Sequence, residues 1–258
     1  QNITKLTDET NDKPSRKNML NELQEAVKKL NKNNSYKKLW VHFSGHGSYV
    51  RDTDGDEDDR RDEVICTLDN KYITDDELND IFSDINADKQ LVCIFDCCHS
   101  GTGLDLPFRY NYQSNKYESI RQNSGIKCDT ILLSGCKDDQ YSADAYGISQ
   151  KYAYTGAFST ALMKCCQRLG TISYDNLMDN CLQFLRSRKF PQIPQITCSK
   201  TRNMKEIFIH SKKWHEVVQI MKRFERYIRI CNYYYNRTGN VRWLNYKKNI
   251  YLIHVYIK

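Results

Sequence analysis

Two apolar runs end in residues that could do chemistry. Leu91-Val92-Cys93-Ile94-Phe95 stops at Asp96-Cys97-Cys98-His99-Ser100-Gly101, and Leu39-Trp40-Val41-His42-Phe43 stops at Ser44-Gly45-His46-Gly47. Each run has the length and composition of a buried parallel strand. Polar residues at the carboxyl ends of such strands form the sites of open α/β sheets. A thiol and an imidazole there are the minimum set for a cysteine nucleophile with a general base: the imidazole draws the thiol toward thiolate and later protonates the leaving group. His46 is the expected base, because glycines on both sides leave room for a substrate backbone. His99 is expected to be structural, since one imidazole suffices. Of the two thiols, strand alternation gives Asp96 and Cys98 one orientation and turns Cys97 toward packing. The amides of Gly47 and Cys98 are candidates for an oxyanion hole.

Further motifs follow down the chain. They include Asp62-Glu63-Val64-Ile65, Asp75-Asp76-Glu77-Leu78, Leu104-Asp105-Leu106-Pro107, Leu133-Ser134-Gly135-Cys136, Tyr154-Thr155-Gly156-Ala157-Phe158 and Pro191-Gln192-Ile193-Pro194-Gln195. Together with Ser44-Gly45-His46-Gly47 and the cysteine loop, this series resembles a type I metacaspase over roughly residues 1–202. The resemblance implies a caspase-like α/β fold, a mainly parallel sheet between two helical layers. It implies that Cys98, directly before His-Ser-Gly, is the nucleophile of a Cys–His dyad with His46. It also places Ser44 and Asp96 in the specificity pocket, where a carboxylate pairs with a cationic side chain. Cleavage after Arg or Lys is then expected, in contrast to an aspartate-specific caspase. Four aspartates, Asp62, Asp75, Asp76 and Asp105, are implied to hold calcium as an activator outside the chemistry, four carboxylates suiting a hard cation. Thr74 and Glu77 have the spacing of a capping box, which independently explains acids in the first turn of a helix.

In such proteins a first strand and a pocket loop precede the first helix; here they are not found, so a gap is expected in the sheet beside the His46 strand. That gap carries an alternative reading, a truncated and inactive interaction module. In the active reading the chain could process itself, Lys151 being the first site to test.

Composition narrows the rest. The 258 residues suit one α/β domain with an appendage, and the division expected is a peptidase domain over 1–202 and an extension over 203–258. No run of about 18 apolar residues occurs and no secretory signal opens the sequence. The eleven cysteines fall largely in or beside apolar segments, which reads as reduced thiols in a cytoplasmic chain. No Cys/His spacing supports structural zinc. A monomer is expected. Of 39 basic and 32 acidic residues, residues 205–258 hold 12 and 3. That basic, aromatic-rich stretch reads as an appended helix with the stripe Trp214, Val217, Val218, Met221, Phe224, Ile228 and Cys231, followed by β-prone residues 250–257, or as a tail without selected function. Binding to nucleic acid or an anionic membrane surface is the less favoured reading. The acidic run Asp52–Asp59 is spaced like a calcium EF-hand loop, but glycine stands at its fourth position instead of its sixth, so it is left as an ordered loop beside a metal site or a solvated acidic surface.

Helices are expected after Pro14-Ser15, over 74–82, from Tyr154 to Cys166 and over 173–187. Further strands are expected at Thr130–Ser134 and, as the last of the sheet, Pro194–Cys198. Residues 108–127 are expected to form a mobile surface loop.

Overall fold

The computed structural model describes residues 3–7, 10–51, 61–97, 100–121, 124–136, 157–209 and 252–257. The acidic run, Cys98 and His99, Lys151 and the expected helix after Trp214 lie outside these residues.

Three strands form the centre of the sheet: β2 (Lys38–Ser44), β6 (Gln90–Asp96) and β9 (Asp129–Ser134), parallel and in continuous register. Nearly every residue of β6 is buried, as expected of a strand covered on both faces. One face carries α1 (Arg16–Lys32) and α2 (Asp75–Ser83). Met19, Leu23, Val27 and Leu30 of α1 pack with Leu39, Val41 and Phe43 of β2 and with Leu78 and Phe82 of α2. The other face carries α3 (Ala157–Leu169) and α4 (Tyr174–Ser187), through Phe158, Leu162, Leu177 and Leu185 against Val92, Ile94 and Ile131. The result is a three-layer α/β/α arrangement.

The helix starts follow from their caps. Ser15 Oγ accepts from Asn18 N–H at 3.3 Å before α1. Thr74 and Glu77 form the reciprocal capping box before α2, at 3.1 and 3.3 Å.

Residues 108–119 are a hairpin, not a mobile loop. β7 (Phe108–Asn111) pairs with β8 (Lys116–Ser119). Its turn is held by Asn111 Oδ1, which accepts from the amides of Gln113 and Ser114, and by Asn115 in the left-handed region at φ 55°. Tyr110 and Tyr117, paired across it, set their rings at a tilt 5.0 Å apart. β11 (Gln195–Cys198) is likewise interior, antiparallel to both β9 and β7, and it is not the last strand.

The expected gap is filled. β1 (Ile3–Leu6) and β2 do not meet; β13 (Leu252–Ile257) lies between them, antiparallel to both, so the order is β1-β13-β2-β6-β9-β11-β7-β8. The β-prone end of the basic stretch is thus an inner strand of the sheet. Residues 203–209 also pack on it: β12 (Ile207–Ile209) pairs with β10 (Ile172–Ser173), and the ring of buried Phe208 lies tilted against Trp40 at 5.3 Å and Tyr174 at 4.9 Å. A small antiparallel sheet of β3 (Gly47–Arg51), β4 (Arg61–Cys66) and β5 (Tyr72–Thr74) leaves the end of β2. Among the described residues no helix is long and apolar enough to cross a membrane.

Candidate active site

The register of the two central strands builds the site. Ser44, the last residue of β2, pairs with Asp96, the last of β6. His46 and Cys98 each follow two residues later in sequence, so the segments that carry them leave two neighbouring parallel strands at the same rung. Gly45 N–H donates to Asp96 C=O at 3.3 Å and holds the two strand exits together. His46 is half-buried, and its carbonyl accepts from Cys66 N–H at 2.9 Å as the chain turns into β3 at Gly47. Cys98, and with it the proposed oxyanion pair, lies outside the described residues. Its neighbour Cys97 is buried on the α1/α2 side, in the cluster with Phe95 and Leu104. The loop beyond is pinned by Ser100 Oγ and Cys136 Sγ, which donate to Cys97 C=O at 2.9 and 3.2 Å, and by Thr197 Oγ1, which donates to Gly101 C=O at 3.4 Å.

Ser44 and Asp96 face the α3/α4 side, both almost wholly buried. Asp96 Oδ2 accepts from Ser159 N–H in the first turn of α3 at 2.6 Å, a carboxylate at a helix N-terminus. Gly135 makes this approach possible: a Cβ there would meet Phe158 Cβ at 3.1 Å and Asp96 Oδ1 at 3.2 Å. Ser159 was not legible as a site residue, because nothing distinguishes it from any serine in an apolar helix.

Ser159 also ties in His42, whose Nε2 lies 2.8 Å from its Oγ. Burial pushes the His42 pKa down to about 4. The unfolded chain takes up that proton near pH 6.5 and the folded chain only near 4, so between these values the unfolded state binds more protons and stability rises with pH. His42 therefore contributes fully above pH 6.5, and acidification from pH 7 to pH 5 should remove about 2 kcal/mol. In His42→Asn the urea midpoint should fall much less over that range. An undiminished fall would assign the acid sensitivity to other groups.

Three of the four aspartates come together. Ligand oxygens of Asp75, Asp76 and Asp105 lie within 4.8 Å of one another; Asp62, buried on β4, is not in that group. The capping box fixes Asp75 and Asp76 at the start of α2. Glu63 and Asp76 donate their amides to Asp75 at 3.0 Å each. Despite those bonds, burial, with the charge of Asp76 adding to it, pushes Asp75 up to about 7. Asp105 is held at φ 51° in the loop after the cysteine and lies 3.1 Å from Arg121 Nη2. Arg121 had no signal in the sequence. Crowded carboxylate oxygens that resist ionisation together fit a hard divalent cation, whose charge relieves their repulsion.

A family model described as the metacaspase peptidase C14 domain matches residues 1–107, which include His46, Cys98 and Asp105. Metacaspase-1 of Scheffersomyces stipitis is 31% identical over 260 residues, covering 80% of this chain and 63% of that protein. The chain belongs to the metacaspase family. Metacaspase-1 of Schizosaccharomyces pombe is 32% identical (74% of this chain, 55% of that one), and metacaspase-3 of Trypanosoma brucei brucei is 30% identical (79% and 61%). This metacaspase-family chain thus spans about three fifths of the length of these curated relatives. A Geobacter sulfurreducens protein of known structure shares the fold, with a TM-score of 0.52 at 24% identity, over 76% of this chain and 79% of that one.

Proposed function

We propose that this metacaspase-family chain is a cysteine endopeptidase that cleaves peptide bonds after Arg or Lys and is stimulated by calcium. The observation that carries the reading is the Ser44–Asp96 rung: two parallel strands in register, one followed by the imidazole and the other by the thiol. In this mechanism the Cys98 thiolate attacks the substrate carbonyl carbon, and the amides of Gly47 and Cys98 receive the developing oxyanion. His46 gives its proton to the departing amine; it then takes one from the water that attacks the acyl-enzyme, and shares it with the Cys98 thiolate released as the thioester C–S bond breaks. Asp96 and Ser44, paired across the two strands, take the cationic side chain. The inactive-module alternative rests on an incomplete sheet; against it, β13, an antiparallel strand, occupies the place beside β2.

Asp75, Asp76 and Asp105 are the residues that would hold calcium. Arg121 neutralises Asp105 in the cation-free protein and would be relieved of that role on loading. Bound there, calcium would supply the charge that offsets these carboxylates of α2 and of the loop following the cysteine, two segments that Asn79 Nδ2 already joins by donating to Leu104 C=O at 3.1 Å.

Matched fluorogenic peptides ending in Arg, Lys or Asp, with calcium and with chelator, test the proposal. Hydrolysis of the Arg and Lys peptides but not the Asp peptide is expected, with a higher rate in calcium. A folded protein that cuts only the Asp peptide, or none, would refute the specificity assigned to Asp96. Equal rates with and without chelator would remove calcium from the account.

A further inference from the structure

Asp96 is flanked by two buried acceptors that the described residues do not satisfy. Ser44 Oγ and Gln192 Oε1 are each without a hydrogen-bond partner among the described residues, and both residues are more than nine-tenths buried. Groups of this kind are normally paired, and one left unpaired in a native interior points to a missing partner.

The orientation of the Gln192 amide is fixed by its neighbour. Its other end lies 2.8 Å from Gly135 C=O, which can only accept, so that end is Nε2 and the free end is the carbonyl oxygen. Gly135 joins the groups spatially: a Cβ placed there would lie 3.2 Å from Asp96 Oδ1 and 3.5 Å from Gln192 Nε2. Ser44 is Asp96's partner across the strands, on the same face. The residues come from three separate places, the ends of β2 and β6 and the turn before β11, and they present acceptors around one carboxylate.

We propose that Gln192 is a further specificity-determining residue of this site, its Oε1 accepting an N–H of the substrate's basic side chain beside Asp96 and Ser44. The inference deepens the reading of the site as a pocket for a basic residue and rests on it. Its chemistry favours a guanidinium. A planar group with five N–H donors and no acceptor can reach the Asp96 carboxylate, Ser44 Oγ and Gln192 Oε1 at once, whereas an ammonium offers three donors from a single point. The sequence singles out Pro191-Gln192-Ile193-Pro194-Gln195 as a motif, and this gives its first glutamine a task.

Two variants separate that task from support of Gly135. Gln192→Met keeps the shape and loses both hydrogen bonds; Gln192→Glu keeps an acceptor and loses the donor to Gly135. With Arg and Lys peptides, Gln192→Met should lower kcat/KM for Arg by at least about tenfold, mainly through KM, and for Lys by much less. Gln192→Glu should restore the Arg rate. If both variants lose activity equally on both peptides, with the Arg-to-Lys ratio unchanged, Gln192 only braces Gly135 and the proposal falls. Binding of acetyl-arginine amide and acetyl-lysine amide to the Cys98→Ala protein, by calorimetry, makes the inference independent of turnover. Arg-selective binding lost in the Cys98→Ala, Gln192→Met double variant supports it even if no peptide is cut, in which case only the peptidase reading fails. No selectivity, or selectivity that survives Gln192→Met, overturns it.

Discussion

Cys98→Ala should reduce hydrolysis of an Arg peptide to background, and His46→Ala should lower kcat/KM by about 10³-fold or more. In the proposed mechanism alanine removes the group that forms the acyl-enzyme, whereas loss of the imidazole leaves a thiol that is still partly ionised but takes away the acid for the departing amine. The informative control is the adjacent thiol. Cys97 is buried among Phe95, Leu104 and Leu106, and the bonds that Ser100 and Cys136 make to position 97 end on its carbonyl, which a substitution leaves in place. Cys97→Ala should therefore keep activity within a few-fold and lose some stability from the vacated space. Circular dichroism of all three variants separates dead from unfolded. If Cys97→Ala is the inactive protein and Cys98→Ala retains turnover, the nucleophile has been misassigned and the alternation argument fails with it.

Where local chemistry dictates local structure, the sequence was sufficient. The strands ending at Ser44 and Asp96 were legible as apolar runs, α1 by its spacing and α2 by its Thr74–Glu77 box. The hairpin of β7 and β8 was hidden because Asn, Ser and Tyr at 111–117 mask a short alternation that makes sense only once Phe108 and Tyr110 have a sheet to join. Asp75, Asp76 and Asp105 could be assembled by resemblance, but Arg121 could not: its relation to Asp105 depends on how the chain returns from β8, which no local pattern encodes. Ser159 and Gln192 are similar cases. Their hydrogen bonds to Asp96 and Gly135 close over separations of 63 and 57 residues. The β-propensity of residues 250–257 was plain, and their destination was not. A strand joining partners over 200 positions away is selected by an open slot in the sheet, and the slot is visible only in three dimensions.

That slot supports a second large effect. A chain ending at Tyr251 should fail to fold cooperatively. β13 pairs with β2 over six residues and with β1 over four. Its removal turns β2 into an edge and leaves β1 with no neighbour in the sheet. Each buried backbone group left unpaired costs about 1–3 kcal/mol, and a whole domain is stable by only about 5–15 kcal/mol, so the loss of a handful exceeds the reserve. The damage is also local to the chemistry, since Leu252 stands opposite Ser44 at the end of β2 from which His46 departs. Val255→Pro in the full chain tests the same point without shortening it. Val255 lies opposite both Val41 and Thr4, and proline removes the one backbone donor there, which an inner strand does not tolerate. Both proteins should lose the cooperative urea transition, together with slow amide exchange at Val41–Phe43. If the shortened chain instead melts as the full one does and still cuts Arg peptides, the inner strands are held by β6 alone and β13 is an ornament on the sheet. If it melts normally but loses activity, β13 serves to aim β2, and with it His46, more than to hold the fold.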